Sequence, residues 1–553
     1  MTELNSPDLH EHLKNQASTE GKIAVISDSP AYTNDLIISQ PLLPFINARE
    51  TNQPPDAKAA EIFMSVLDVE QVAAIHLYLE VIQDAPELSQ AALRAVRKGI
   101  PVVVLRGGRF AAGNRVTQKS SKSTIEDEGI LAALFERFGF IQCATLEETV
   151  ETLKMLLYGG RPLGYQLAIS TSSNASAVLA ADTAQMVGLQ VPELEESISS
   201  FLSPLLQDNN FPKNPLYAVK KESLSQIYRS FLAGNFHVGV QVKNPASDWS
   251  DITPAFAQEA AKQNMPCAFI SSTADPIPKS VFEMLIANGA APLSGLKAGL
   301  QAIANTVNFV EQMVLMAQMP TGAITLPTVA SLSQTTQLDE VEGKRLLYQA
   351  GIKVPKAAII EGSNVIGLNE LSFPVVLKAV GASLTHKTEL GAVKLSIESD
   401  EALRQTLFDM NDWLDSVDLR GFLIEEMITD GIGELLVGVR HVAEVGQVLT
   451  LAFGGVTVEL LGDAKTLLLP ASSSEIEQAL RSLRLFPTIN GWRNKPAADI
   501  DQVVETISLI CYYAQSQVDR LFALEVNPLI VRPAPHTPVA ADAVFQFGDK
   551  VEN

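Results

Sequence analysis

The residues of this chain best suited to chemistry fall mostly in its last third. The stretch FPVVLKAVGASLTHKTELGAVKL, residues 373–395, reads as strand, loop, strand. Its Val-rich run ends on Lys378, where a buried strand should stay apolar. A lysine there either snorkels its ammonium to water or aims a point charge at a phosphate. The following loop carries His386. FLIEEMI, residues 422–428, ends a strand on Glu425 and Glu426, and carboxylates at a strand exit can accept from a ribose hydroxyl or an adenine amino group. VLTLAFGG, residues 448–455, ends another strand on Gly454 and Gly455. In LEVNPLIV, residues 524–531, Glu525 and Asn527 share one strand face because side chains alternate. Oxygen ligands at i and i+2 suit a magnesium ion that also holds nucleotide phosphates. Asp542, in VAADAVF, is expected on a strand that pairs beside them.

The elements that must position these groups follow two rhythms. Residues 21–160 and 161–315 each repeat a short Val/Ile strand, a turn and an amphipathic helix. GKIAVIS, AAIHLYLE and IPVVVLRGG are strands of the first unit; YQLAIST, FHVGVQV and MPCAFIS are strands of the second. TLEETVETLKMLL closes the first unit as a helix, with Thr145 at the N-cap and Glu148 at the capping-box position. Strands alternating with helices predict parallel sheets covered on both faces, so two doubly wound (flavodoxin-like) α/β domains are expected. Residues 316–337 are expected as a linker, and residues 338–553 as a mixed α+β domain. The first 20 residues read as a polar tail.

At 553 residues the chain is too long for one core, and three or four domains are expected. Apolar residues make up 46% and charged residues 19%, the balance of a packed globular protein. The formal net charge of −22 argues against nucleic acid or an anionic membrane as partner. It does not argue against a nucleotide, whose phosphates need only local donors. The cysteines Cys143, Cys267 and Cys511 form no CxxC, so zinc is not expected. The N-terminus lacks a signal-peptide core and no apolar run spans a bilayer, so a cytoplasmic location is expected.

Taken in order, the lysine strand, Gly loop, carboxylate hinge, Gly-Gly strand and Glu/Asn plus Asp form the ATP-grasp arrangement. Residues 338–547 resemble the ATP-grasp domain of the NDP-forming acyl-CoA synthetases (acetate–CoA ligase, ADP-forming). FPVVLKAV, LTHKTELGAVKL, IEEM, FGGVTVELLGD and EVNPL carry the likeness. The resemblance implies ATP and Mg2+ as cofactors. It implies Lys378 on the ATP phosphates and Glu426 at the adenine or ribose end, with Glu425 a further candidate cofactor contact. Gly454 and Gly455 would let backbone approach the phosphates. Asn527 and Asp542 would bind magnesium, with Glu525 on or near the metal. His386 falls where the family places a histidine near the γ-phosphate.

The two doubly wound units resemble the paired CoA-ligase domains of the same family. IHLYLEVI matches the strand that carries the family's catalytic glutamate, which falls on Glu80 and there orients a phosphohistidine. Counting on without gaps from VVVLRGGRFAAGNR, the histidine slot falls on Ser120. Imidazole forms a phosphoramidate that transfers readily, whereas a phosphoserine ester is inert by comparison. Pro30 stands where the first turn should hold a glycine, and it has no N–H to offer. Ser173, Asn174 and Ala175 replace a glycine run in the second unit. The family's separate CoA-binding domain has no counterpart in this sequence.

Two readings follow from the resemblance. One is an ATP- and Mg2+-dependent carboxylate ligase that activates a small carboxylic acid as acyl phosphate for transfer to CoA or another nucleophile. In it, a second subunit supplies the CoA-binding domain within an oligomer. The other is a catalytically degenerate ATP-binding relative that acts as a regulatory or scaffold subunit.

Overall fold

The computed structural model describes residues 21–48, 58–80, 82, 85–116, 127–206, 213–217, 221–244, 253–318, 326, 332–361, 364–366, 371–381, 392–413, 420–443, 445–454 and 463–550. Two compact units are resolved by their internal packing.

The first unit holds two parallel sheets. In one, the strands Phe45–Asn47, Lys22–Ser27, Val72–Leu79, Val102–Arg106 and Phe140–Cys143 lie side by side in that order. In sequence this is the flavodoxin order 2-1-3-4-5, whose switch point lies between the first and third strands. The second sheet orders Leu167–Thr171, Val238–Lys243, Cys267–Ser271 and Ala290–Ser294, also parallel. Strands such as Leu167–Thr171 are buried along their whole length, as sheets covered on both faces require. One apolar core runs through both lobes, from Ile23 and Val103 through Leu153 and Ile169 to Leu300 and Phe309.

The helices Leu146–Lys154 and Leu296–Gln318 carry much of that shared core. Thr145 caps the first by accepting from Glu148 N at 3.1 Å, while the Glu148 carboxylate accepts from Ala144 N at 3.0 Å. Asn305, on the second helix, donates to Glu148 Oε1 at 2.9 Å and to Thr152 Oγ1 at 3.1 Å. Glu151 is buried in the same seam, where it accepts from Lys154 at 2.8 Å and from Ser294 N at 2.9 Å.

The second unit is built on antiparallel sheets. Six strands follow one path: Leu332–Gln337, Ala543–Lys550, Leu521–Val531, Gly433–Val442, Gly446–Phe453 and Ala464–Leu468; the short strand Val539–Ala540 pairs with Leu521–Val531 beside it. The other sheet orders Asn364–Ile366, Ala357–Glu361, Gly421–Glu426, Val375–Val380 and Val393–Ile397. The helices Ser473–Ser482 and Ile500–Ser516 bury their apolar faces on the larger sheet, with Ile476, Leu480, Ile507 and Ile510 in its core. Within the span expected as a linker, Leu332–Gln337 forms an edge strand, and helix Leu296–Gln318 runs three residues into that span's start. The fold is thus α/β, with two lobes on parallel sheets in the first unit and antiparallel sheets in the second. Among the described residues no helix is long and apolar enough to cross a membrane.

Candidate active site

Lys378 lies in strand Val375–Val380, which is buried throughout and paired on one side with Gly421–Glu426. Its ammonium does not snorkel. It donates to Glu340 Oε1 at 2.6 Å and to the Ala541 carbonyl at 2.7 Å, and it is ion-paired with Glu425 Oε2 at 2.9 Å. Two of the three N–H donors of the ammonium are thus spent on hydrogen bonds, and the Glu425 carboxylate lies within ion-pair distance. Burial alone would lower the Lys378 pKa, but the carboxylates of Glu425, Glu340 and Asp542 overcome it and hold the pKa above the usual lysine range.

Strand alternation separates the two hinge carboxylates. Glu425 points inward, accepts from Lys344 and is ion-paired with Lys378. Glu426 points the other way, accepts from Ser372 N at 2.8 Å and lies 3.7 Å from the Lys356 ammonium. Glu340 and Lys344, one turn apart on helix Glu340–Gln349, complete the buried cluster. Sequence reading missed both. Their i, i+4 spacing with Glu first reads as a surface helix pair, and only the sequence LDEVEGK just ahead of an apolar helix face hints otherwise.

The candidate metal ligands come together as alternation predicts. Glu525 and Asn527 are exposed on strand Leu521–Val531, while Leu524 and Val526 are buried behind them. The Asn527 amide donates to Glu525 Oε1 at 3.3 Å. Antiparallel pairing sets Val526 opposite Ala543, and Asn527 N donates to the Asp542 carbonyl at 3.3 Å, which places Asp542 beside them at the start of the last strand. A Cβ added to Gly454 would lie 3.5 Å from Asn527 Oδ1, so the Gly454 backbone borders the same edge. Carboxylate and amide oxygens on one exposed edge fit a hard divalent cation. Among the described residues no cluster of three or more His, Cys, Asp or Glu stands ready for a metal, and the amide of Asn527 belongs to this candidate set. His386, Gly455 and Ser120 lie outside the described residues.

In the first unit, Glu80 follows strand Val72–Leu79 at the switch point of the sheet, next to Asp28 at the end of the first strand. Its backbone N donates to Asp28 Oδ2 at 3.1 Å, and its Oε1 accepts from the Tyr78 hydroxyl at 3.0 Å. The Tyr78 pKa is pushed up to about 12, by burial first and then by Glu80, so the phenol keeps its proton. Gly107 makes room for this pair, because a Cβ there would lie 2.7 Å from the Tyr78 hydroxyl. Nearby, Pro30 occupies the first turn of helix Pro30–Ser39, and the Ser29 side chain accepts from Tyr32 N at 3.3 Å. Ser173 caps helix Asn174–Met186 in the same way, accepting from Ser176 N at 3.2 Å.

Residues 330–547 match the ATP-grasp domain family, and residues 20–156 match the succinyl-CoA ligase like flavodoxin domain. A trans-feruloyl-CoA synthase of an unknown prokaryotic organism is 23% identical, over 98% of this chain and 78% of its own. The beta subunit of ADP-forming acetate–CoA ligase I from Pyrococcus furiosus is 27% identical, over 36% of this chain and 87% of its own. Among solved structures, the dinucleotide-forming acetyl-coenzyme A synthetase 1 of Candidatus Korarchaeum cryptofilum, in complex with phosphate and ADP, aligns with a TM-score of 0.45 at 16% identity. That alignment covers 55% of this chain and 68% of the other. Further relatives are ADP-forming ligases of acetate and of 4-hydroxybutyrate. The chain carries an ATP-grasp domain and a succinyl-CoA-ligase-like flavodoxin domain. Its relatives include ADP-forming acid–CoA ligases, and together these findings support an acid–CoA ligase.

Proposed function

We propose that the chain is an ATP- and Mg2+-dependent carboxylate ligase that activates a small carboxylic acid as its acyl phosphate and passes the acyl group to CoA or another nucleophile. One observation carries the reading. The buried Lys378 ammonium bonds the Ala541 carbonyl, directly before Asp542, so the phosphate-seeking lysine and the exposed Glu525–Asn527 edge meet at one backbone segment.

Magnesium held by Glu525, Asn527 and Asp542 would neutralise charge on the phosphates. Lys378 supplies a fixed positive charge in a water-poor site, where it acts more strongly than in solvent. A phosphate oxygen would replace one of its present acceptors. Gly454 keeps the sheet edge free of side chain so that backbone can approach the nucleotide, with Gly455 beside it. Glu426, on the outer face of the hinge, accepts from the adenine or ribose, and Glu425 holds Lys378 from within.

In the first step a carboxylate oxygen of the acid bonds the γ-phosphorus. The bond from phosphorus to the bridging oxygen breaks, and ADP leaves with that electron pair. In the second step the thiol sulfur bonds the acyl carbon, phosphate leaves and takes up the thiol proton. His386 would stand near the γ-phosphate, and Glu80 would help arrange the substrate. CoA would be presented by a CoA-binding domain on a second subunit, within a cytoplasmic oligomer.

The test is incubation of the purified chain with ATP, Mg2+, a panel of carboxylic acids and hydroxylamine, which traps acyl phosphates as hydroxamates. Acid-dependent ADP release with hydroxamate formation supports the reading. No ADP release and no hydroxamate with any acid overturns it.

A second reading, an ATP-binding regulatory or scaffold subunit without turnover, is favoured by the first-unit turns. The helix ends at Pro30 and Asn174 spend N–H donors on their own serine caps or lack one outright. An ATP-induced rise in melting temperature with no turnover would select it.

A further inference from the structure

Lys344 takes no part in the chemistry above, yet its side chain is only 6% exposed, against 8% for Lys378. Its ammonium lies 2.8 Å from Glu340 Oε1 and 2.5 Å from Glu425 Oε1. Lys378 reaches the same two carboxylates, at Glu340 Oε1 and Glu425 Oε2. The two lysines and two glutamates close a ring of zero formal charge. Burying four charges is costly, and a hydrophobic replacement of similar volume would hold the fold at least as well.

We propose that Lys344 is a positioning residue, a resident counter-ion that keeps Glu340 and Glu425 neutralised when Lys378 turns a donor toward a nucleotide phosphate. This rests on the reading of Lys378 as a nucleotide contact. Lys378 hydrogen-bonds Glu340 and the Ala541 carbonyl and is ion-paired with Glu425, so a move of its ammonium toward a phosphate loosens its hold on these carboxylates. A buried carboxylate released without a second cation would be left uncompensated, at a large cost. Lys344 touches both carboxylates, so neither is left alone whichever one Lys378 releases. Without Lys344 the ring carries a net negative charge. That charge both holds Lys378 back and repels the incoming polyanion.

The test is charge rescue in the full chain. ATP binding is measured by titration calorimetry with Mg2+, and folding by thermal melting. Lys344→Met should weaken ATP binding roughly ten-fold or more, the scale of one unit charge about 12 Å away at an effective dielectric of about 20. Lys344→Arg, which keeps the charge, should bind ATP nearly as the parent does. Glu340→Gln alone should bind at least as tightly as the parent. Lys344→Met with Glu340→Gln restores a neutral cluster and should recover most of the lost affinity. If Lys344 serves only the fold, the double variant binds no better than Lys344→Met, and the proposal is overturned. Should Lys344→Met not fold, weaker ATP binding by Glu340→Gln overturns it instead. Lys378→Met separates the two levels. If it binds ATP as the parent does, the nucleotide reading of Lys378 falls and this proposal with it. If it loses ATP while the Lys344 variants follow the structural pattern, only this proposal falls.

Discussion

The Tyr78 hydroxyl donates a 3.0 Å hydrogen bond to Oε1 of Glu80, two residues further along the chain. Behind it, the Tyr78 ring stacks on Tyr32 at 4.0 Å between centroids. The Tyr32 hydroxyl donates to Nε2 of His76 at 2.8 Å, and His76 Nδ1–H donates to the Val103 carbonyl at 3.1 Å. A backbone acceptor in the sheet thus fixes the histidine tautomer, which fixes the first tyrosine, on which the second tyrosine rests. Tyr78→Phe keeps the stack and removes only the bond to Glu80. Hydrogen bonds to charged groups contribute about 1.5–3 kcal/mol, so turnover should fall about ten-fold or more while ATP affinity stays unchanged. Gly107→Ala should act alike, since its Cβ would lie 2.7 Å from the Tyr78 hydroxyl and 3.0 Å from Glu80 Cγ. Steady-state kinetics beside ATP calorimetry on both variants checks this.

The exposed Glu525–Asn527 edge should be separable from stability. Both side chains face out of the strand, so Asn527→Ala should leave the melting temperature without ligand nearly unchanged. The same variant should raise the Mg2+ concentration needed for tight nucleotide binding. Lys378→Met should do the reverse of the first result. It leaves buried Glu340 and Glu425 with one lysine between them, and breaking a buried pair costs about 3–5 kcal/mol. Denaturant unfolding of the two variants, with a Mg2+ titration of Asn527→Ala, distinguishes the cases. An Asn527→Ala chain that melts well below the parent would contradict the first expectation.

His76 should impose a pH dependence on the first unit. It is fully buried, and burial pushes its pKa down to about 4 against the single raising influence of the Val103 carbonyl. The unfolded chain, with an ordinary histidine pKa of about 6.5, binds this proton more readily than the native state does. Stability from this group is therefore complete above about pH 6.5 and lost as the pH falls toward 4, by about 3 kcal/mol in all. Urea unfolding at stepped pH should show that slope. His76→Gln, which can still reach both polar neighbours, should flatten it.

Asn305 joins the two flavodoxin-like lobes through Glu148 and Thr152. Asn305→Leu preserves volume but removes the donor and leaves both acceptors without it. The expected loss is about 1–3 kcal/mol, read as a lower urea midpoint with the slope unchanged. A change of slope instead would mean that the lobes have come to unfold separately.

How far the sequence can be read depends on the range over which each feature is determined. Val-rich runs such as IAVIS and VVVLR declare buried parallel strands because burial on both faces leaves no polar position. Glu525 and Asn527 share a face because alternation is local. The same rule splits Glu425 from Glu426, because neighbours on one strand face opposite ways, and so it sends a single carboxylate of the pair inward. The Glu340–Lys344 pair is hidden for a different reason. Its partners lie on strands 38 and 81 residues away in sequence, and nothing local distinguishes a buried i, i+4 pair from a solvated one. Leu332–Gln337, LSQTTQ, is polar enough to read as linker, and it becomes a strand only because Ala543–Lys550 offers it an edge.

That edge has a further consequence. The strand by which the chain enters the ATP-grasp domain is hydrogen-bonded to the strand by which it leaves, with Leu332 opposite Lys550. A domain whose entry and exit strands are neighbours presents both to a connecting chain at one place on its rim.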